Sequence, residues 1–318
     1  MRTWLMVGLL GCTGPTDEDT GPEVVPLEPP PEGQGFQVEM STMAPAGEEV
    51  WACAIYDAPI TGPANVSWVE YQQAANTHHM TLSTAFDQSA IPLANGMYDC
   101  DEVYTGRFME EQVMMFGSQG EPGGTLELPP GVAATLPGPM KLVHEVHFVN
   151  TTSEDLEVFS RLNAWTIPGE EVVDGIWGGS VRDENINVPA NTTDHREWSR
   201  CVMNRDVEVL FLASHMHARG VDFTIRRFDG TTVGEQVFFN DDWHDPLITK
   251  FDPPIVLKQG EGFEFECSWR NDDDFAVNYG LLSTDEMCNM AIVHTPFDFA
   301  ASCEVVETSD GVLPGAEG

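Results

Sequence analysis

From Phe36 onward the chain is a succession of short runs in which apolar and polar residues alternate, each closed by Gly, Pro, Asn or Asp: "FQVEM", "VSWVEY", "HHMTLSTAF", "MKLVHEVHFVN", "VEVLFLASHMH", "VDFTIRRFDG" and "FEFECSW". A period of two sends successive side chains to opposite faces of a strand, so runs of this kind bounded by turn formers describe half-buried antiparallel strands. Long helical periodicity is absent, which argues against a parallel sheet with its crossover helices. The pattern predicts an all-β chain. At 318 residues it is long for one small domain, and two tandem jelly-roll-like antiparallel β-sandwich domains are expected. The polar break at Asn150 to Asp155 places the expected domains at 36–160 and 161–306, with a flexible tail over 307–318.

Charge excludes one class of partner. Lys and Arg number 14 against 52 Asp and Glu, a net charge of -38, and such a chain repels a phosphate backbone and has no basic patch with which to hold one. No nucleic acid is expected. The opening "MRTWLMVGLLGC" has a basic residue, a short apolar run and then Leu9-Leu10-Gly11-Cys12. It resembles a bacterial lipoprotein signal over 1–12, with Cys12 carrying the lipid; a secretory signal with a different start is the other reading. Residues 13–35 are rich in Pro, Gly and acidic residues, the composition of a tether that cannot bury a core. An exported body follows, attached to a bacterial membrane only through its lipid.

Beyond Cys12, the cysteines are Cys53, Cys100, Cys201, Cys267, Cys288 and Cys303. An even number, with no CxxC pair, in an exported chain reads as three disulfides, and six cysteines alone allow about 15 pairings.

The 9 histidines are unevenly placed. His215 and His217 lie two apart in "SHMH" and share a face of a strand, so both can reach one ion or, equally, hydrogen-bond to neighbours. His144 and His147, three apart, point to opposite faces, and at most one joins a given site. The adjacent His78 and His79 can share a metal only where the backbone bulges or a strand begins. His195 and His244 sit among loop residues and read as solvated, and His294 stands alone. Met287, in "STDEMCNM" beside Cys288, is either core filler among 14 methionines or a thioether that, added to His215 and His217, makes a soft donor set suited to copper.

The order HH-M, then E-V-H-F-x-N, then H-x-H, then D-E-M-C resembles the type II copper, ascorbate-dependent monooxygenases, the family that contains dopamine β-monooxygenase and peptidylglycine α-hydroxylating monooxygenase. The four motifs span most of the chain from Phe36 to Val305. The resemblance implies two sandwich domains, each holding one of two copper ions, which face each other across a solvent-filled cleft. It assigns His78, His79 and His147 to an electron-transfer copper and His215, His217 and Met287 to an oxygen-binding copper. The implied reaction hydroxylates a C–H bond of a small molecule or peptide with O2 and a one-electron reductant such as ascorbate. The same resemblance implies the pairings Cys267–Cys288, Cys201–Cys303 and Cys53–Cys100.

Two departures bear on substrate. Where the peptide-amidating branch has an arginine and a tyrosine that hold a carboxylate, this chain has Ala213 and Ala291, although Asn289 matches that branch's asparagine. One amide does not replace the bidentate grip of an arginine. Met216, between the two histidines, is a second thioether, but on a strand it points away from their shared face. The other functional class for such a chain is a non-catalytic copper-binding or adhesion lipoprotein of the same fold.

Overall fold

Alternation along Lys141–Val149 sets the architecture of the first half of the chain. Leu142, Val146 and Phe148 enter one apolar core together with Val38, Met40, Leu162 and Ala164 of a second sheet. The intervening Val143 enters a separate cluster on the opposite face with Cys53, Cys100, Val103 and Phe108. A computed structural model of the chain describes residues 26–313 apart from 76, 245–247, 281 and 283. It is all-β, built from two sandwich domains in tandem.

In the first domain, one sheet orders the strands Gly35–Ala44, Leu156–Ile167, Ala64–Gln73, Val132–Leu136 and Asp174–Gly175, with Gly123–Glu127 also paired to Ala64–Gln73. The facing sheet orders Gly96–Asp99, Glu49–Asp57, Lys141–Val149, Thr77–Ala85 and Gln112–Gln119. Pairing is antiparallel throughout except for Asp174–Gly175, which runs parallel to Val132–Leu136. In the second domain, Trp177–Arg182, Asn289–Thr295, Val207–His215 and Ile248–Leu257 form one sheet. Its partner orders Val233–Asn240, Gly220–Phe228, Gly262–Asn271, Thr192–Met203, Cys303–Thr308 and Gly311–Val312. Val209, Leu212, Met290 and Ile292 of the first interdigitate with Phe223, Ile225, Phe263 and Phe265 of the second.

The disulfides are Cys53–Cys100, Cys201–Cys303 and Cys267–Cys288, which places folding in an oxidising, exported environment. Among the described residues no helix is long and apolar enough to cross a membrane.

Three expectations about boundaries need correction. The division at 160/161 falls inside Leu156–Ile167, which stays in the first domain through its pairing with Ala64–Gln73 and the stacking of Trp165 on Trp68 at 4.7 Å. Sheet membership changes only between Gly175 and Trp177. A local polar break marks a turn, not necessarily a domain edge. The end of the expected tether is pinned to the first domain: Gln37 donates to the Leu27 carbonyl and Asn163 to that of Glu28. The expected flexible tail contributes the strand Gly311–Val312, paired with Cys303–Thr308. The proposed signal, Cys12 and residues 314–318 lie outside the described residues.

The domains are docked face to face. The outer face of the second domain's smaller sheet presents Leu210 and Phe211, which pack with Leu128 and Val132 of the first domain. Phe86 stacks on Trp177 at 5.7 Å, and the Lys250 ammonium donates to the Glu127 carbonyl at 3.0 Å.

Candidate metal centre

The site is built where both domains end their histidine-bearing strands. Along Thr77–Ala85, Met80 and Leu82 enter the sandwich core, so His79 and Thr81 face outward. The register slips between Thr77, opposite Phe148, and His79, opposite His147. His78 is the extra residue of that bulge, and a bulge re-aims its side chain. His78 Nδ1 therefore lies 2.9 Å from His79 Nδ1, a contact two neighbours on a regular strand could not make.

His147 is on the same outer face. The rings of His78 and His79 lie 4.9 and 5.0 Å from it, and one nitrogen from each of the three falls within 4.8 Å of the others. His144 faces the opposite way, buried between the sheets, where Tyr56 Oη at 2.8 Å and Ser160 Oγ at 2.9 Å occupy its two nitrogens.

Hydrogen bonds on the far nitrogens decide which lone pairs are free. His79 Nε2 donates to Glu145 Oε1 at 2.8 Å, and His147 Nε2 donates to Glu49 Oε1. The nitrogen of each ring left without a carboxylate partner is Nδ1, and that of His79 faces His78 Nδ1. The 2.9 Å between the Nδ1 atoms of His78 and His79 is close to the separation of two ligands about 90° apart on an ion at ~2.0–2.1 Å. The three nitrogens fit a metal such as copper, for which imidazole is a suited ligand.

Glu145 is the residue around which this half of the site is organised. Its buried carboxylate accepts from His79 and from Trp51 Nε1 (2.6 Å) at Oε1, and from Thr81 (2.7 Å) and Tyr104 (2.6 Å) at Oε2. Burial opposes its charge, but the His79 imidazole and these donors outweigh burial and hold it ionised, far below the usual carboxylate range. The sequence alone does not single it out, although Glu145 lies two before His147 and so shares its face.

In the second domain, Met216 turns into the core, leaving His215 and His217 on the face toward the first domain. Their rings are 5.2 Å apart. His217 Nδ1 lies 3.1 Å from the Asp285 carbonyl, which can only accept, so Nδ1 carries the proton and Nε2 the free pair. His215 Nδ1 lies 3.1 Å from Gln119 Oε1 of the first domain.

Met287 joins them through Glu286. The Glu286 side chain, fully buried, accepts at Oε2 from the backbone N–H groups of His217 and Met287 and from Trp269 Nε1, and at Oε1 from the Arg219 N–H. Asn289 pairs with His215 across the sheet and donates to Met287 Sδ at 3.1 Å, while its Oδ1 is buried without a partner. The Cys267–Cys288 bond fixes the chain next to the methionine.

The two half-sites are not separated by the expected solvent-filled cleft. The His78 ring is 6.5 Å from that of His217, and the His79 ring is 6.5 Å from that of His215. Five imidazoles from two domains make one cluster. Burial is the largest cause pushing His78 down to about 3, with the neighbouring rings adding to it. His147, His215 and His217 are lowered in the same direction, again chiefly by burial. All four are therefore neutral near pH 7, the form that binds a metal.

Of the two histidines expected to be solvated, His244 is exposed, whereas His195 is half-buried and partnered. His195 Nε2 donates to Glu197 Oε1 at 2.7 Å, and its ring stacks on Trp269. His244 lies against Gly120 of the first domain, next to Trp243, whose ring is 6.0 Å from that of His78.

No protein-family model matches this chain, and no curated protein sequence matches it.

Proposed function

We propose that the chain is a copper-dependent monooxygenase that hydroxylates a C–H bond with O2 and an ascorbate-type reductant, exported and held at a bacterial membrane by lipid on Cys12. The observation that carries this reading is the pair of donor sets: one ring nitrogen each from His78, His79 and His147, and the His215, His217 and Met287 group of the second domain facing them. Copper held by these groups supplies one-electron redox chemistry toward dioxygen. The protein's own part is preparatory. Glu145 and Glu49 keep protons on the outer nitrogens of His79 and His147, so the inner lone pairs need no proton transfer before binding. Glu286 ties the His217 and Met287 backbones to one carboxylate, and the disulfide beside Met287 limits how far its sulfur strays.

Substrate recognition follows from the row of side chains beside His215. Ala213 pairs with Ala291 on one side and Ile248 on the other, so the two positions that would grip a carboxylate face each other as methyl groups. Asn289 Oδ1 supplies an unused acceptor next to them. An uncharged substrate with an apolar contact face and one hydrogen-bond donor fits this surface. Ascorbate-driven O2 uptake by the copper-loaded protein, with neutral and carboxylated candidate substrates compared, tests the reading; carboxylated compounds giving the faster turnover would contradict it.

The close approach of the half-sites favours a second reading, a non-catalytic copper-binding lipoprotein, because rings 6.5 Å apart leave little room for a substrate between them. Two coppers per chain with no ascorbate-driven redox cycling would support that alternative.

A further inference from the structure

Gln119 ends the strand Gln112–Gln119 opposite His79, on the face that meets the second domain. Its buried amide makes both its contacts across the domain boundary: Nε2 donates to the Trp243 carbonyl at 2.9 Å, and Oε1 lies 3.1 Å from His215 Nδ1. The chemistry of these partners leaves one arrangement. A carbonyl only accepts, so the amide nitrogen must face Trp243; the amide oxygen then faces His215, so His215 Nδ1 must carry a proton. The lone pair of His215 is thereby placed on Nε2, matching His217, whose Nδ1 proton is held by the Asp285 carbonyl.

The adjoining residue shows how tightly this contact is built. Gly120 has φ +74, and a Cβ placed on it would lie 2.6 Å from the His244 carbonyl oxygen. Only a residue without a side chain lets the Trp243–His244 segment of the second domain come this close to the first.

We infer that Gln119 is a positioning residue acting across the domain boundary: one amide fixes the tautomer of His215 and holds the Trp243 carbonyl, so the His215, His217 and Met287 half-site is completed by the first domain. This rests on the metal reading above for the role of the half-site, but not for the geometry of the clasp.

Two measurements test it. In metal-free protein labelled with 15N-histidine, long-range 1H–15N spectra should show His215 with its proton on Nδ1. Gln119→Leu should release it into a mixture of tautomers, whereas Gln119→Glu, which still accepts from Nδ1–H, should retain it. In copper titrations Gln119→Leu should weaken the His215 half-site about 10- to 100-fold and leave the three-histidine half-site unchanged. Gly120→Ala keeps the amide but wedges the domains apart, and should give the same selective loss; it carries the test should Gln119→Leu fail to fold. A wild-type His215 with its proton on Nε2, or a Gln119→Leu protein with unchanged spectra and unchanged copper affinity, overturns the inference. Wild-type protein that binds no copper overturns the metal reading instead, while the tautomer spectra still decide the clasp.

Discussion

His79 and Glu145 are diagonal neighbours on adjacent strands, and the 2.8 Å bond from His79 Nε2 to the carboxylate is one of four that this single buried anion accepts. A carboxylate in that position aims the imidazole and raises its basicity as a ligand. Four donors on two oxygens also leave it no freedom to turn away.

Glu145→Gln therefore removes more than charge. An amide keeps one acceptor oxygen and places its NH2 where two other donors already point, so at least one bond is lost. Copper affinity at the three-histidine half-site should fall about 10- to 100-fold, with thermal unfolding showing a loss of about 3–5 kcal/mol for the broken buried network. Unchanged affinity would mean that Glu145 supports the fold alone.

His144 and His147 separate a core role from a ligand role within one strand. His147→Ala should cost one copper per chain and little stability, measured by metal content and thermal melting. His144→Ala, which leaves the Tyr56 and Ser160 hydroxyls unpaired between the sheets, should keep both coppers and lose about 2–4 kcal/mol.

Met287→Ala should preserve the fold and the three-histidine half-site while abolishing oxygen chemistry. The buried thioether leaves a cavity worth about 2–5 kcal/mol, and X-ray absorption of the reduced copper protein should lose its sulfur contribution. A variant that still turns over at the wild-type rate would show that the sulfur is not needed.

Stability of the metal-free protein should fall with pH on the acid side. His144 is lowered from 6.5 to about 3 by burial, against the weaker opposing pull of Glu145, and His78 is lowered to about 3 by burial and neighbouring imidazoles. Between those values the unfolded chain binds protons that the folded chain does not, so stability is complete above pH 6.5 and declines as pH drops toward 3. The slope is about 1.4 kcal/mol per pH unit for each such histidine. Denaturant midpoints in chelator at pH 7, 6 and 5 measure it; identical midpoints would contradict the buried, neutral state of these rings.

Much of the site is legible in the sequence because strand periodicity is local. Alternation alone puts His215 and His217 on one face, sends Met216 away from it and separates His144 from His147, and the structure has each of these. The cysteine pairings implied by the family resemblance are those formed. The domain boundary was not legible, since a polar break at Asn150 to Asp155 and the turn before a continuing strand look alike in one dimension.

The sequence by itself determined the strands, the face each histidine occupies and the donor types on offer, all properties of a few neighbouring residues. Only the tertiary structure decided that His78 sits in a bulge, that Glu145 and Gln119 hold the outer nitrogens of His79 and His215, and that two half-sites from separate domains meet with rings 6.5 Å apart. The reason is physical: register slips, buried hydrogen bonds and domain docking depend on partners distant in the chain, here Gln119 and His215, 96 residues apart.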